Sequence, residues 1–469
     1  MVNQTEKDIY NFTNGQDKVL NLLTKWYQDP NQLIFTLEGF AGTGKTYLLK
    51  YFLDSVVKKG ICISAPTHKA VHVLEKATDR KGKTIHSLLG LRLNTSLDTF
   101  NIDNIKFDLL GTEYIKDFNI IVVDECSQIN TSLFKLLVQR SKFYNTKILF
   151  IGDSCQLPPV QENISQTFLI PNKCLLTEII RQDEGNPLLK PLTLLRYDIQ
   201  HNTFTLLSFL QNNSEEINEL EEGYSVLSKE IYQEIVLDYF KNSNFNKDVS
   251  KIRIGAYTNN NILAWNTFVR NHTIEQSKDI LTDKDIITGY KTIVDNNNSP
   301  FIINSEDYKV IDISPRLSDD GFKCFGLQIC NLYNGDISTI NVVDHTDKQG
   351  FYIFTEKLKY LHRMAIYSKA VERGSTWKRY FEYKNNNLVM IDFKLFYDGR
   401  DRGTVTKDLD YSYCLTIHKL QGSTIETVFI NALDILYDRN GFPYSNGTLI
   451  NKLLYTGISR ASKKVNILL

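Results

Sequence analysis

Three short stretches of this chain carry residue types able to bind and cleave a polyphosphate. Residues 39–46, Gly39-Phe-Ala-Gly42-Thr43-Gly44-Lys45-Thr46, fit the pattern GxxxxGK followed by Ser or Thr, directly after an apolar run and directly before an amphipathic one. Glycines there let backbone N–H groups curl around phosphate oxygens. The Lys45 ammonium neutralises the β- and γ-phosphates, and the Thr46 hydroxyl is suited to Mg2+. The apolar run Ile120–Val123 ends in Asp124 and Glu125, where one carboxylate can hold Mg2+ and the next can polarise an attacking water. Acidic strand ends are common, and this pair gains its force from following a phosphate loop within one domain length. In Gly152-Asp153-Ser-Cys-Gln156-Leu-Pro-Pro, the Gln156 amide can hydrogen-bond a γ-phosphate or water and report nucleotide state, while the prolines read as a turn. Gln16, upstream of the loop, has an amide able to read both edges of an adenine; a lone glutamine equally suits the surface.

These groups need rigid carriers. Leu33–Glu38, Ile61–Ser64, Ile120–Val123 and Ile148–Ile151 are short apolar runs ending near Gly, Pro or Asp, as in strands buried on both faces of a parallel sheet. Helical patterns between them, such as Tyr47–Val57, predict a doubly wound α/β domain. Leu91–Asn119 breaks the rhythm and reads as a small hairpin insertion. The acidic stretch Gln211–Gly223 reads as a solvated helix face or a linker. A second α/β pattern starts near Ile252. From about Gly289 to Thr404 short alternating segments rich in Asn, Asp and Tyr predict an all-β insertion. Its later part, Lys357–Lys394, carries nine Lys and Arg residues, suited either to a phosphate backbone or to solvated surface. Strand–helix rhythm returns at Tyr411.

At 469 residues the chain suits about three folding units. Hydrophobic residues at 42% and charged ones at 23% exclude wholesale disorder and collagen-like structure. The 54 Lys and Arg balance the 54 Asp and Glu, so attraction to a polyanion has to come from local patches. Apolar runs fall short of the roughly 18 residues of a membrane span, and the start, MVNQTEKDIYNF, lacks a secretory h-region. Seven cysteines without a CxxC pair suggest reduced thiols in a cytoplasmic setting, with neither zinc site nor disulfide framework.

Taken in order, GFAGTGKT, APTHKA, TIHSLLG, DECSQ, GDSCQLPPV, LTEIIRQ, AYTNN, YCLTIHKLQGST and YTGISRA form a series that resembles the superfamily-one DNA helicases, RecD-like branch, over about residues 9–469. The resemblance implies two RecA-like P-loop domains with ATP and Mg2+ in the cleft between them. The first would be residues 1–90 and 117–190, with a pin hairpin at 91–116. The second would be 191–288 and 405–469, with an all-β, SH3-like insertion at 289–404. It implies Gln16 at the adenine, and Gly39, Gly42, Thr43, Gly44, Lys45 and Thr46 around the phosphates, with Gln421 and Gly422 beside them. Asp124, Glu125 and Gln156 keep the roles argued above, and Arg181 and Arg460 would reach the γ-phosphate. Pro66, Thr67, His68, Thr84 and His86 fall in the DNA motifs of the first domain, and Asn259, Thr416 and His418 in those of the second; the histidines could equally be core residues. Cys126, Gln128 and Leu420 depart from the usual pattern without touching the chemistry. The implied partners are single-stranded DNA and a duplex fork, with replication proteins nearby and no membrane, and the implied polarity is 5′→3′. Two distant arginines make sense if a second domain closes on a nucleotide held by the first. Because Arg460 lies in the chain's own C-terminal part, a self-contained monomer is expected. Phe100, with Phe107 as alternate, would be a stacking residue at the pin, or would pack the hairpin onto its domain. A single-strand translocase that barely unwinds and a protein remodeller are the competing classes.

Overall fold

The computed structural model describes residues 12–93, 107–109, 111–178, 185–243, 245–275, 279–295 and 299–469. They divide into two compact units: 1–90 with 112–265 and 414–469, and 91–111 with 266–413.

The first unit holds two six-stranded sheets. In the first, the order is Gly82–Thr84, Ile61–Ala65, Ile120–Val123, Lys147–Gly152, Ile34–Gly39 and Lys173–Leu176, and every neighbouring pair is parallel. Ile120, Ile121, Val122 and Val123 are all fully buried, as a strand covered on both faces requires. Helices Asn14–Gln28 and Lys45–Phe52 bury Leu23, Leu48, Leu49 and Phe52 against Leu37, Val122 and Leu149. The second sheet runs Cys414–Thr416, Ile252–Ala256, Ile425–Asn431, Ala461–Leu468, Gly223–Leu227 and Glu215–Ile217. It is parallel apart from the last pair, which is antiparallel. The parallel α/β expectation therefore holds twice. The acidic stretch is corrected: Glu215–Ile217 is neither helix face nor linker but an exposed edge strand. Its charges suit an edge, where they discourage pairing with other chains.

In the second unit, Ile337–Val343, Lys323–Asn331, Asp307–Leu317, Ile286–Gly289 and Leu409–Tyr411 form an antiparallel sheet. The all-β expectation for 289–404 is overturned by two long helices, Lys348–Tyr367 and Ala370–Asn385. Gly350, Phe354, Leu358, His362 and Ala365 are buried on the first of these, a helical period that the exposed tyrosines at 352, 360 and 367 obscure in the sequence. Asp347 caps it by accepting from the Gly350 N–H at 3.2 Å. Most of the basic segment lies on these helices, with Lys394 on strand Phe393–Tyr397, and much of its charge is already paired. Lys357 meets Asp320, Lys359 meets Glu356, Arg363 meets Asp398, Lys384 meets Asp408 and Lys394 meets Asp401. The hairpin is seen at its base, where Leu91–Leu93 pairs antiparallel with Phe107–Leu109. Phe100 lies outside the described residues.

Candidate functional site

The phosphate loop follows strand Ile34–Gly39 and ends where helix Lys45–Phe52 starts. Gly42 and Gly44 have φ of 83° and 73°, left-handed conformations that glycine adopts without a Cβ penalty. Gly44 is the helix N-cap and offers no side chain there, leaving the first-turn N–H groups to an anion. Lys45 Nζ donates to the carbonyls of Gly39 at 2.7 Å and Phe40 at 2.9 Å, folded back on its own loop. Burial lowers its pKa, while Asp153, Asp124 and Glu125 pull the other way. Gln16 is buried and shares a capping box with Thr13. Its Nε2 donates to the Thr43 carbonyl at 3.3 Å, which ties the first helix to the loop.

Asp124 and Glu125 leave the end of strand Ile120–Val123. Glu125 has φ 51°, a left-handed conformation uncommon for a residue other than glycine, and its N–H donates to Asp124 Oδ1 at 2.8 Å. Burial pushes both carboxyls up, Glu125 to about 7 against the opposing pull of Arg460. Arg460, buried at the end of the last helix, puts Nη1 4.0 Å from Glu125 Oε1 and donates to the Ser423 carbonyl at 3.4 Å and Ser459 Oγ at 3.1 Å. The Gln156 amide stands among these groups. With its oxygen toward Arg460 it accepts from Nη2 at 3.0 Å and donates to Glu125 Oε2 at 3.2 Å. Turned over, its oxygen accepts from Gln421 Nε2 at 3.1 Å. Gln421 Nε2 also reaches Ser127 Oγ at 2.9 Å. A Cβ on Gly422 would lie 3.7 Å from Glu125 Oε1. Catalytic-type groups from the two sheets thus meet around one carboxylate. Arg181 lies outside the described residues.

The residues expected at DNA share one structural logic. Thr67, just beyond a parallel strand, and Thr84 and Thr416, each the last residue of one, cap the next helix, accepting from the N–H groups of Ala70, Ser87 and Lys419 at 3.3, 3.2 and 3.1 Å. Pro66 and His68 flank the first cap, His86 lies on the short helix after the second and His418 on that after the third. Asn259 opens helix Asn259–Thr273, after strand Ile252–Ala256. All sit at the carboxyl ends of strands, the edge where open α/β sheets bind ligands. His86 is half-buried, and burial lowers the pKa of its imidazole; His418 is exposed. The His418 ring stacks toward Tyr257 with centroids 6.5 Å apart.

Sequence reasoning missed Asp153, Tyr455 and Ser127. Asp153 and Tyr455 lie inside quoted motifs, beside Gln156 and Arg460, but nothing in their spacing shows that they touch.

Known proteins bear on this geometry. Residues 13–211 match the family described as AAA domain, and residues 411–468 match the UvrD-like helicase C-terminal domain. The ATP-dependent DNA helicase dda of Enterobacteria phage T4 is 23% identical over 468 residues, covering 96% of this chain and 97% of that protein. The RecBCD enzyme subunit RecD of Buchnera aphidicola subsp. Schizaphis graminum is 24% identical, over 93% of this chain and 70% of that protein. Among solved structures, the Pif1 helicase from Candida albicans aligns with a TM-score of 0.48 and 16% identity, over 98% of this chain and 94% of that one.

Proposed function

The chain belongs to the superfamily-one helicases of the RecD- and Pif1-like kind, and from that premise we propose how its residues turn ATP hydrolysis into 5′→3′ movement on single-stranded DNA and unwinding of duplex. The observation that carries the proposal is the meeting of Arg460, Gln421 and Gly422 of the second sheet with Glu125 and Gln156 of the first. An acid from one sheet and an arginine from the other, 4.0 Å apart, make hydrolysis depend on how the two halves are held.

Lys45 leaves its loop carbonyls for the β- and γ-phosphates, and the N–H groups after Gly42 and Gly44 cradle them. Gln16 orders the loop from the adenine side. Glu125 orients the attacking water and accepts its proton. Arg460, with Arg181 assigned the same task by its motif, stabilises charge on the departing γ-phosphate. Gln156, whose amide stands between Glu125 and Arg460, is placed to hydrogen-bond a γ-phosphate or the attacking water and so to register its presence. Asp124 and Thr46 fit Mg2+: they are hard oxygen donors, and Asp124 is a half-buried carboxylate with a backbone N–H on one oxygen. When bound, Mg2+ supplies charge neutralisation to the phosphates.

For DNA, the strand-end loops at Pro66–His68, Thr84–His86, Asn259 and Thr416–His418 form the track, and the hairpin based on Leu91–Leu93 and Phe107–Leu109 is the separating element. The two six-stranded sheets support the assignment of two RecA-like domains, while Ile286–Gly289 and Leu409–Tyr411, strands of the antiparallel sheet, favour limits for the second insertion near residues 266 and 413 rather than 289 and 404. The second arginine site within the same chain supports action as a monomer. Steady-state ATPase with and without single-stranded DNA tests the reading: strong stimulation by DNA is expected, and a rate indifferent to DNA contradicts it.

A further inference from the structure

A second set of contacts joins the two sheets away from Glu125, and no chemical step described above uses it. Asp153, buried at the end of strand Lys147–Gly152, accepts three hydrogen bonds. Its Oδ1 takes the Cys155 N–H at 3.0 Å. Its Oδ2 takes the N–H of Ala41, inside the phosphate loop, at 3.0 Å and the Tyr455 hydroxyl at 2.7 Å. The Ala41 N–H is shared, since the Tyr455 oxygen also lies 3.3 Å from it. The next residue of the same helix, Thr456, accepts from the Leu157 N–H at 3.1 Å through Oγ1. Two consecutive residues of helix Gly447–Ile458 thus grip the phosphate loop and the loop that carries Gln156. Phe40, Cys155 and Leu157 are buried in one apolar cluster with Leu454, Tyr455 and Ile458, so the grip sits on a packed base. Lys452, buried one turn back on that helix, is a further positive group near Asp153. Arg460 follows directly on the helix end.

We propose that Tyr455 and Asp153 form a positioning latch that sets the shape of the phosphate loop through the Ala41 amide according to where the Arg460-bearing helix stands. Neither residue touches the reacting atoms. A hydrogen bond from an outside hydroxyl to a loop carboxylate, made in a dry interior, is directional and has two discrete states, made or broken. Movement of the helix that swings Arg460 toward or away from Glu125 therefore also tightens or frees the loop that grips phosphate. This rests on the helicase reading and gives it a coupling route besides the Gln156 network.

The test is Tyr455→Phe, which keeps the ring and its packing and removes only the hydroxyl. Amide hydrogen exchange is followed in the nucleotide-free chain over a peptide spanning residues 38–47. The latch predicts exchange about tenfold faster there, the equivalent of ~1.4 kcal/mol, with protection of strand Ile120–Val123 unchanged. It also predicts a DNA-stimulated kcat lower by about tenfold with KM for ATP within about twofold. Asp153→Asn should give a similar loss, and the double variant should be no worse than the worse single one. Unchanged exchange over 38–47 in Tyr455→Phe overturns the latch, as does a loss that appears wholly in KM or strictly additive losses in the double variant. Absence of DNA-stimulated ATPase in the unmodified chain would sink the helicase reading alone, and the exchange measurement would still decide the latch.

Discussion

Replacing Arg460 separates charge from geometry at the cleft. Its guanidinium is held by the Ser423 carbonyl, Ser459 Oγ and the Gln156 amide, with Glu125 at 4.0 Å. On the proposed reading these anchors hold the side chain toward the γ-phosphate, and they are ground-state contacts that remain available whether or not ATP reacts. An arginine aimed at a departing phosphoryl group is worth about 10³–10⁵ in rate, or roughly 4–7 kcal/mol of barrier at 1.36 kcal/mol per decade. Arg460→Ala should therefore lower single-turnover hydrolysis on saturating single-stranded DNA by at least about 10³-fold, with the Kd of a fluorescent nucleotide within a few-fold of the unmodified chain. Arg460→Lys keeps the charge but loses the planar fork that serves Ser423 and Gln156 together, so its rate should fall between the two, about 10²-fold down. Removing the cation also removes the larger of the two cationic pulls, ahead of that of Lys45, that keep Glu125 from rising further, so any acidic limb of the pH–rate profile should move to higher pH in Arg460→Ala. A kcat for Arg460→Ala within tenfold of the unmodified chain would reduce Arg460 to a buried cap on Ser423. Matching losses in Kd and kcat would make it a ground-state ligand.

Lys45→Ala should abolish hydrolysis with circular dichroism unchanged, since its bonds to Gly39 and Phe40 are replaceable by water; residual ATPase in the folded variant would refute the site. Glu125→Gln should bind nucleotide and hydrolyse it about 10²–10⁴-fold more slowly, as measured by nucleotide titration beside single-turnover kinetics. Lys378→Glu with Arg379→Glu should leave the salt dependence of DNA binding unchanged, because the charges around them are largely paired; a slope shallower by about 0.7 per lost contact would make them phosphate ligands. His362 is buried with Nδ1 2.8 Å from the Tyr397 hydroxyl, and burial, aided by Arg402, pushes its pKa down to about 4 from 6.5. Between those values the unfolded chain binds the extra proton, so stability falls as pH drops from 6.5 toward 4, by up to about 3 kcal/mol. Urea unfolding across that range should show the fall and His362→Gln should lack it.

The nucleotide machinery was legible because each element of it is local. A glycine loop between a strand and a helix, and two acids at a strand end, have patterns fixed by backbone geometry, and Lys45, Asp124 and Glu125 stand where those patterns put them. The helices at 348–367 and 370–385 were not legible, since exposed Tyr352, Tyr360 and Tyr367 give the buried stripe of Phe354, Leu358 and His362 an aromatic background that hides its period. The edge strand at Glu215–Ile217 was missed because an edge strand has no apolar face to announce it. Thr67, Thr84 and Thr416 were picked out by motif, and the structure adds a reason independent of DNA, since each caps a helix. Contacts made only by tertiary closure, such as Tyr455 on Asp153 and Gln421 on Ser127, leave no trace in spacing.

The most direct measurement of the central claim is ATP-driven strand separation of a duplex carrying a single-stranded tail on one side only. Two substrates of identical sequence, one 5′-tailed and one 3′-tailed, are incubated with the chain and ATP, with Lys45→Ala as control. The account predicts separation of the 5′-tailed duplex by the unmodified chain and by neither substrate with Lys45→Ala. Separation confined to the 3′-tailed duplex, or none despite DNA-stimulated ATPase, would contradict it.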